Sequence, residues 1–64
     1  MLEKNQVYET AIESITSEGS GVGRIDGMAV FVPGTCPGDV ARVRIVKKRA
    51  SYAYGRLEEV LAPG

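Results

Sequence analysis

The chain has 64 residues, 44% of them hydrophobic and 25% charged, with eight cations balancing eight acids. That length makes one small domain, which buries only about 60% of its unfolded surface and has little room for an enclosed catalytic cleft beside a core. With no histidine and a single cysteine, Cys36, the chain has no internal disulfide and no metal-ligand set, and with no apolar run near the ~20 residues of a membrane span and no signal peptide at Met1 it reads as cytoplasmic.

Residues 6–16, QVYETAIESIT, admit two readings. Tyr8, Ala11, Ile12 and Ile15 sit at i, i+3, i+4 and i+7, the spacing of an amphipathic helix, with Asn5 as cap and Gly19 as stop. The same residues as a strand put Tyr8, Thr10 and Ile12 on one face and Glu9 and Glu13 on the other. Residues 19–23, GSGVG, lack the G-x-G-x-x-G order and lead into a hairpin, so they read as glycines that bend a strand rather than as a phosphate loop.

Residues 23–32, GRIDGMAVFV, read as a hairpin turning at Asp26-Gly27, because a type I′ turn needs positive φ at both central residues. Ile25 then pairs with Met28, Arg24 with Ala29, Gly23 with Val30 and Val22 with Phe31. One face carries Ile25, Met28, Val30 and Val32, a core set. The other carries Val22, Arg24, Ala29 and Phe31, so the register places an aromatic ring on the face that must keep Arg24 hydrated.

Residues 33–39, PGTCPGD, form a loop, with prolines that cannot donate to a ladder and glycines that supply turns. Residues 40–48, VARVRIVKK, alternate Ala41, Val43 and Ile45 inward with Arg42, Arg44 and Lys48 outward. A polar break, Arg49-Ala50-Ser51, precedes a last strand over 52–61. There Tyr52, Tyr54 and Arg56 share one face, and Ala53, Gly55 and Leu57 share the other. Solvating Arg56 turns both tyrosines outward with it. A helix over 6–16 would make the domain α+β; a strand there makes five short strands that hide their edges by closing.

The neutral net charge conceals a basic stripe. Residues 1–23 carry Lys4 against Glu3, Glu9, Glu13 and Glu18, whereas residues 40–56 carry Arg42, Arg44, Lys47, Lys48, Arg49 and Arg56 with no acid. Exposed aromatics beside cations suit single-stranded RNA: bases stack on the rings and cations hold the phosphates. No residues suit catalysis. Cys36 has no base at hand, and Glu58 and Glu59 point to opposite faces of a strand.

The blocks EGSGVGRIDGMAVFVPG, PGDV, VRIVKK and YAYGRL, in that order, resemble a TRAM domain over about Val7 to Leu61. The resemblance implies an all-β fold, a small five-stranded OB-like β-barrel that binds RNA, with a strand over residues 7–15. It places RNA-contacting positions at Phe31, Tyr52 and Tyr54 with Arg24, Lys47, Lys48 and Arg49. Strand parity adds Arg44 and Arg56 to that face. TRAM domains open RNA uracil-5-methyltransferases and close radical-SAM methylthiotransferases. Because the blocks begin a few residues after Met1, the chain is similar to the first kind. That implies a monomeric module for ribosomal or transfer RNA, serving rRNA processing or tRNA modification beside a downstream domain. The downstream domain would hold S-adenosylmethionine, a cysteine nucleophile and, in many members, an iron–sulfur cluster. None of those motifs is present, so the chain alone is expected to be no enzyme, and Cys36 matches no cluster cysteine. The competing expectation is a protein-interaction barrel that docks a catalytic domain or a ribosomal protein.

Overall fold

The ambiguous segment 6–16 is a strand, because backbone partners reach it from both sides. In the computed structural model, which describes residues 2–64, β1 (Val7–Ile15) lies between β2 (Ser20–Ile25) and β4 (Val40–Lys48). It pairs antiparallel with β4 from Val7↔Arg44 to Ala11↔Val40, and with β2 from Ile12↔Gly23 to Ile15↔Gly21. Two ladders outweigh the helical spacing, since intrinsic propensity is a weak preference beside tertiary pairing. Thr10 and Ile12 are buried and Tyr8 packs against the core, the inward set of the strand reading.

The Asp26-Gly27 turn joins β2 to β3 (Met28–Pro33) in the register the sequence indicates, Ile25↔Met28 through Val22↔Phe31 and on to Ser20↔Pro33. Asp26 and Gly27 have φ of 53° and 76°, the pair of left-handed residues that a type I′ turn requires. β5 (Tyr52–Ala62) then pairs parallel with β3 and antiparallel with β4, closing the barrel in the order β1-β2-β3-β5-β4. No helix intervenes among the described residues. The all-β, five-stranded barrel of the sequence reading is the fold.

The barrel interior is narrow and filled by small side chains. Its buried hydrophobic set is Leu2, Ile12, Ile25, Val30, Val32, Ala41, Val43, Ile45 and Ala53, with Tyr8, Met28 and Leu57 partly buried against it. Gly55 faces inward, and a Cβ there would run into Val43 Cγ1, with Val30 Cγ1 at 3.2 Å. Gly21 likewise leaves the space that Thr35 occupies. Thr35 is buried from within the 34–39 loop and donates its hydroxyl to the Val32 carbonyl at 2.8 Å.

Two features lie outside the sequence reading. The segment before β1 belongs to the core, for Leu2 is 2% exposed. Asn5, at φ 70°, reverses the chain there. Its amide donates to the Ile45 carbonyl at 2.7 Å, and the Ile45 amide donates to the Gln6 carbonyl at 2.9 Å. The second feature is a register shift in β4 between Ile45 and Lys47. Alternation put Lys48 outside with Arg42 and Arg44. The shift instead pairs Lys47 with Tyr54, and Lys48 with the inward Ala53, although Lys48 itself remains exposed at the strand end.

Asp39 fastens the loop that leads into β4. Its carboxylate accepts from the Cys36 amide at 2.9 Å and from the Gly64 amide at 2.8 Å. These bonds, the Gly64 one first, hold its pKa below the ordinary 3.8. A depressed carboxylate contributes stability that is complete above pH ~4 and fades as pH falls through the folded-state pKa. Thermal melting of Asp39→Asn should therefore fall less between pH 6 and pH 3 than that of the parent chain. Gly55→Ala should lose about 1–3 kcal/mol in urea unfolding, the usual cost of overpacking a close-packed core.

Candidate nucleic-acid interface

The rings excluded from so narrow a core gather on the outer wall. Phe31 of β3 lies directly across from Tyr54 of β5, and Tyr52 lies across from Ala29. Parallel pairing in this register puts all three rings on one side. Their centroids are 5.9 Å (Phe31–Tyr52), 5.7 Å (Phe31–Tyr54) and 5.5 Å (Tyr52–Tyr54) apart. Two of the pairs meet edge to face, the geometry favoured by the charge distribution of aromatic rings. Phe31 and Tyr52 shield each other to half-burial, while Tyr54 stays 40% exposed. Mutual cover thus keeps Phe31 beside hydrated Arg24 without placing it in the core.

Continuing the ladders gives two rows across the wall. One runs Val22–Phe31–Tyr54–Lys47 across β2, β3, β5 and β4. The other runs Arg24–Ala29–Tyr52, and the Tyr52 carbonyl accepts from the Arg49 amide at 2.8 Å. Cations therefore flank the rings on both sides. The Tyr54 hydroxyl is held above the ordinary tyrosine pKa by Tyr52, through its charge and its hydrogen bond, and by desolvation; Arg49 opposes the rise and Glu18 adds to it.

The basic stripe is split in two. Arg42 pairs with Glu9 and Glu59, each at 3.3 Å, and Arg44 pairs with Glu58 at 3.1 Å while donating to the Asn5 carbonyl at 3.0 Å. These two arginines brace β1, β4 and β5. Arg24, Lys47, Lys48, Arg49 and Arg56 are exposed and enter no salt bridge among the described residues. Of these, Lys47 pairs with Tyr54 and Arg49 bonds to Tyr52 along the backbone, and Arg56 lies two residues past Tyr54, opposite Arg44.

Beside the rings is a cleft of about 140 Å³ lined by Thr16, Glu18, Ser20, Phe31 and Tyr54. Its polar wall is the turn between β1 and β2. That turn is locked, since the Thr16 amide donates to the Ser20 carbonyl at 2.8 Å and the Ser20 amide to the Thr16 hydroxyl at 3.1 Å. Sequence reasoning missed this wall. Thr-Ser-Glu-Gly-Ser signals a turn, but its place beside Tyr54 follows from β2, β3 and β5 lying side by side, a long-range arrangement.

The TRAM domain model matches residues 2–57. The chain belongs to the TRAM-domain family. Curated relatives include an uncharacterized RNA methyltransferase of Listeria monocytogenes, 43% identical over 60 residues, and one of Streptococcus agalactiae, 41% identical over 61. The alignments cover 94% and 95% of this chain but only 13% and 14% of those proteins, so this TRAM domain spans a small fraction of the relatives' length. Among solved structures, a conserved protein of Methanococcus maripaludis, determined in solution, is 33% identical with a TM-score of 0.83. That match covers 89% of this chain and 81% of the other.

Among the described residues, no three His, Cys, Asp or Glu side chains are grouped to hold a metal, and Cys36 is a free, exposed thiol in the 34–39 loop. An iron–sulfur cluster therefore has no ligand set among the described residues.

The ring cluster has a spectroscopic consequence. Because Tyr52 is the main cause of the raised Tyr54 pKa, Tyr52→Phe should bring Tyr54 back down toward 10.0, followed by NMR titration of labelled tyrosine rings. An unchanged Tyr54 titration would break the coupling between the two hydroxyls.

Proposed function

We propose that this domain binds single-stranded or unpaired RNA on the β3–β5 wall and presents it to an attached S-adenosylmethionine-dependent RNA methyltransferase, of the uracil-5 type. The observation that carries the reading is the cluster of Phe31, Tyr52 and Tyr54 on one outer wall, between cations that enter no salt bridge among the described residues. A ring face accepts any base by stacking, for about 1–3 kcal/mol each, and Lys47, Lys48, Arg49, Arg24 and Arg56 are free to meet phosphates. Arg44, held by Glu58 at 3.1 Å, would meet a phosphate only by leaving that pair.

Family membership supports the RNA reading, and the names of the relatives support attachment to an RNA methyltransferase rather than to a methylthiotransferase. The attached domain, not this one, would supply the methyl donor, the nucleophile and any cluster. Ribosomal or transfer RNA in the cytoplasm is the substrate class such a module would serve, as a monomer on the RNA.

Titrating a short single-stranded RNA against the chain at several salt concentrations tests the reading. Affinity should fall steeply as salt rises. Tyr54→Ala should weaken binding roughly 5- to 150-fold, the loss of one stacked base, with the salt slope kept. Lys47→Gln and Arg49→Gln should each weaken binding and flatten the slope by about 0.7. Affinity indifferent to salt and to Tyr54 would instead mark the wall as an apolar protein contact.

A further inference from the structure

The cleft beside the rings has a chemistry that generic stacking does not require. Phe31 and Tyr54 form its apolar wall; Thr16, Glu18 and Ser20 form its polar wall. Its volume of about 140 Å³ lies well below the roughly 300–1,000 Å³ of a pocket for a drug-sized ligand, which suits a single flat ring system. Glu18 stands out because it puts an acid on a wall otherwise flanked by cations. A negative charge there opposes phosphate binding and favours a group that presents hydrogen-bond donors. Glu18 enters no salt bridge among the described residues. Its charge nevertheless reaches the Tyr54 hydroxyl.

The two Thr16–Ser20 hydrogen bonds hold the turn that carries Glu18, so the carboxylate is presented by a closed loop rather than a floppy one. The Ser20 side chain shares the outward face of β2 with Val22 and Arg24 and supplies a hydroxyl that donates or accepts.

We infer that this cleft is a base-selective subsite in which Glu18 reads the Watson–Crick edge of one guanine in the bound RNA. The inference rests on the RNA-binding reading above. A carboxylate presents two acceptor oxygens and no donor. Guanine presents two adjacent donors, N1–H and N2–H, which match it bidentately and with charge assistance. Uracil presents one donor between two carbonyl oxygens that repel a carboxylate. Adenine and cytosine each place an acceptor nitrogen beside their one exocyclic amine. With its edge on Glu18, the purine face lies against Tyr54 and Phe31, and its far edge is open to the Ser20 and Thr16 hydroxyls.

The test compares three short RNAs by fluorescence anisotropy at low salt: an oligouridine, the same with one central guanosine, and the same with inosine at that place. The chain should bind the guanosine RNA about five- to tenfold more tightly than the oligouridine, the low end for a bidentate base contact because the cleft is open. Inosine, which lacks the N2 amine, should lose most of that gain. Glu18→Gln should abolish the preference while leaving oligouridine binding unchanged or tighter, since it removes a negative charge. Glu18 is exposed in a turn, and an NMR spectrum of the variant confirms the fold. Equal binding of guanosine and uridine RNAs, or a preference that survives Glu18→Gln, overturns the subsite while leaving the RNA-binding wall in place. No binding of any of the three overturns the RNA reading and the subsite with it.

Discussion

Closure of five strands on so little chain dictates where every large side chain goes. The interior holds three valines, three isoleucines, two alanines and Leu2, and at Gly55 has room for no side chain at all. A phenylalanine or a pair of tyrosines cannot enter without displacing Val30, Val32 or Val43, which are fully buried. The rings of β3 and β5 are therefore forced outward. Because those two strands are hydrogen-bonded neighbours in register, the expelled rings meet one another. The core and the ring cluster thus occupy opposite faces of the same two strands, so surface substitutions at the rings are separable from the core in a way that is uncommon for aromatic residues.

The side-chain directions were legible where alternation is unbroken. The β2–β3 register follows from Asp26-Gly27 alone, and the outward placement of Phe31, Tyr52 and Tyr54 follows from the need to hydrate Arg24 and Arg56. Three things were not legible from local pattern. The spacing of Tyr8, Ala11, Ile12 and Ile15 satisfies both periods, and only the partners on either side decide between them. The shift at Val46 reverses the parity of the Lys47-Lys48 pair, because a single extra residue moves everything beyond it to the other face. Leu2 joins the core through a reversal at Asn5 that no hydrophobic period announces. The family resemblance supplied the strand over 7–15; it did not supply the shift or the Leu2 plug.

Charge was legible as a sum along the chain but not as a surface. Six cations between residues 40 and 56 suggest one continuous basic stripe. Folding brings Glu9, Glu58 and Glu59 against Arg42 and Arg44 and so neutralises two of those six cations. Exposed pairs of this kind contribute little to stability, about 0–1 kcal/mol each. Their larger effect is to concentrate the uncompensated positive potential at Lys47, Lys48 and Arg49, where β4 ends beside Tyr52 and Tyr54. On the proposed reading, that local positive potential would favour a polyanion's approach to the wall that carries the rings.

Glu18 is the acid that this partition leaves over at the ring cluster. Glu9, Glu58 and Glu59 each face an arginine, whereas Glu18 sits on a hydrogen-bonded turn beside Tyr54 and enters no salt bridge among the described residues. Stacking and phosphate contacts are blind to sequence, since every base has a face and every nucleotide a charge. A carboxylate fixed at the end of a stacking platform lowers the general attraction and restores it only for a base edge that donates twice. That trade, weaker binding to all sequences for preference toward one base, is how a barrel too small for a deep pocket can still discriminate.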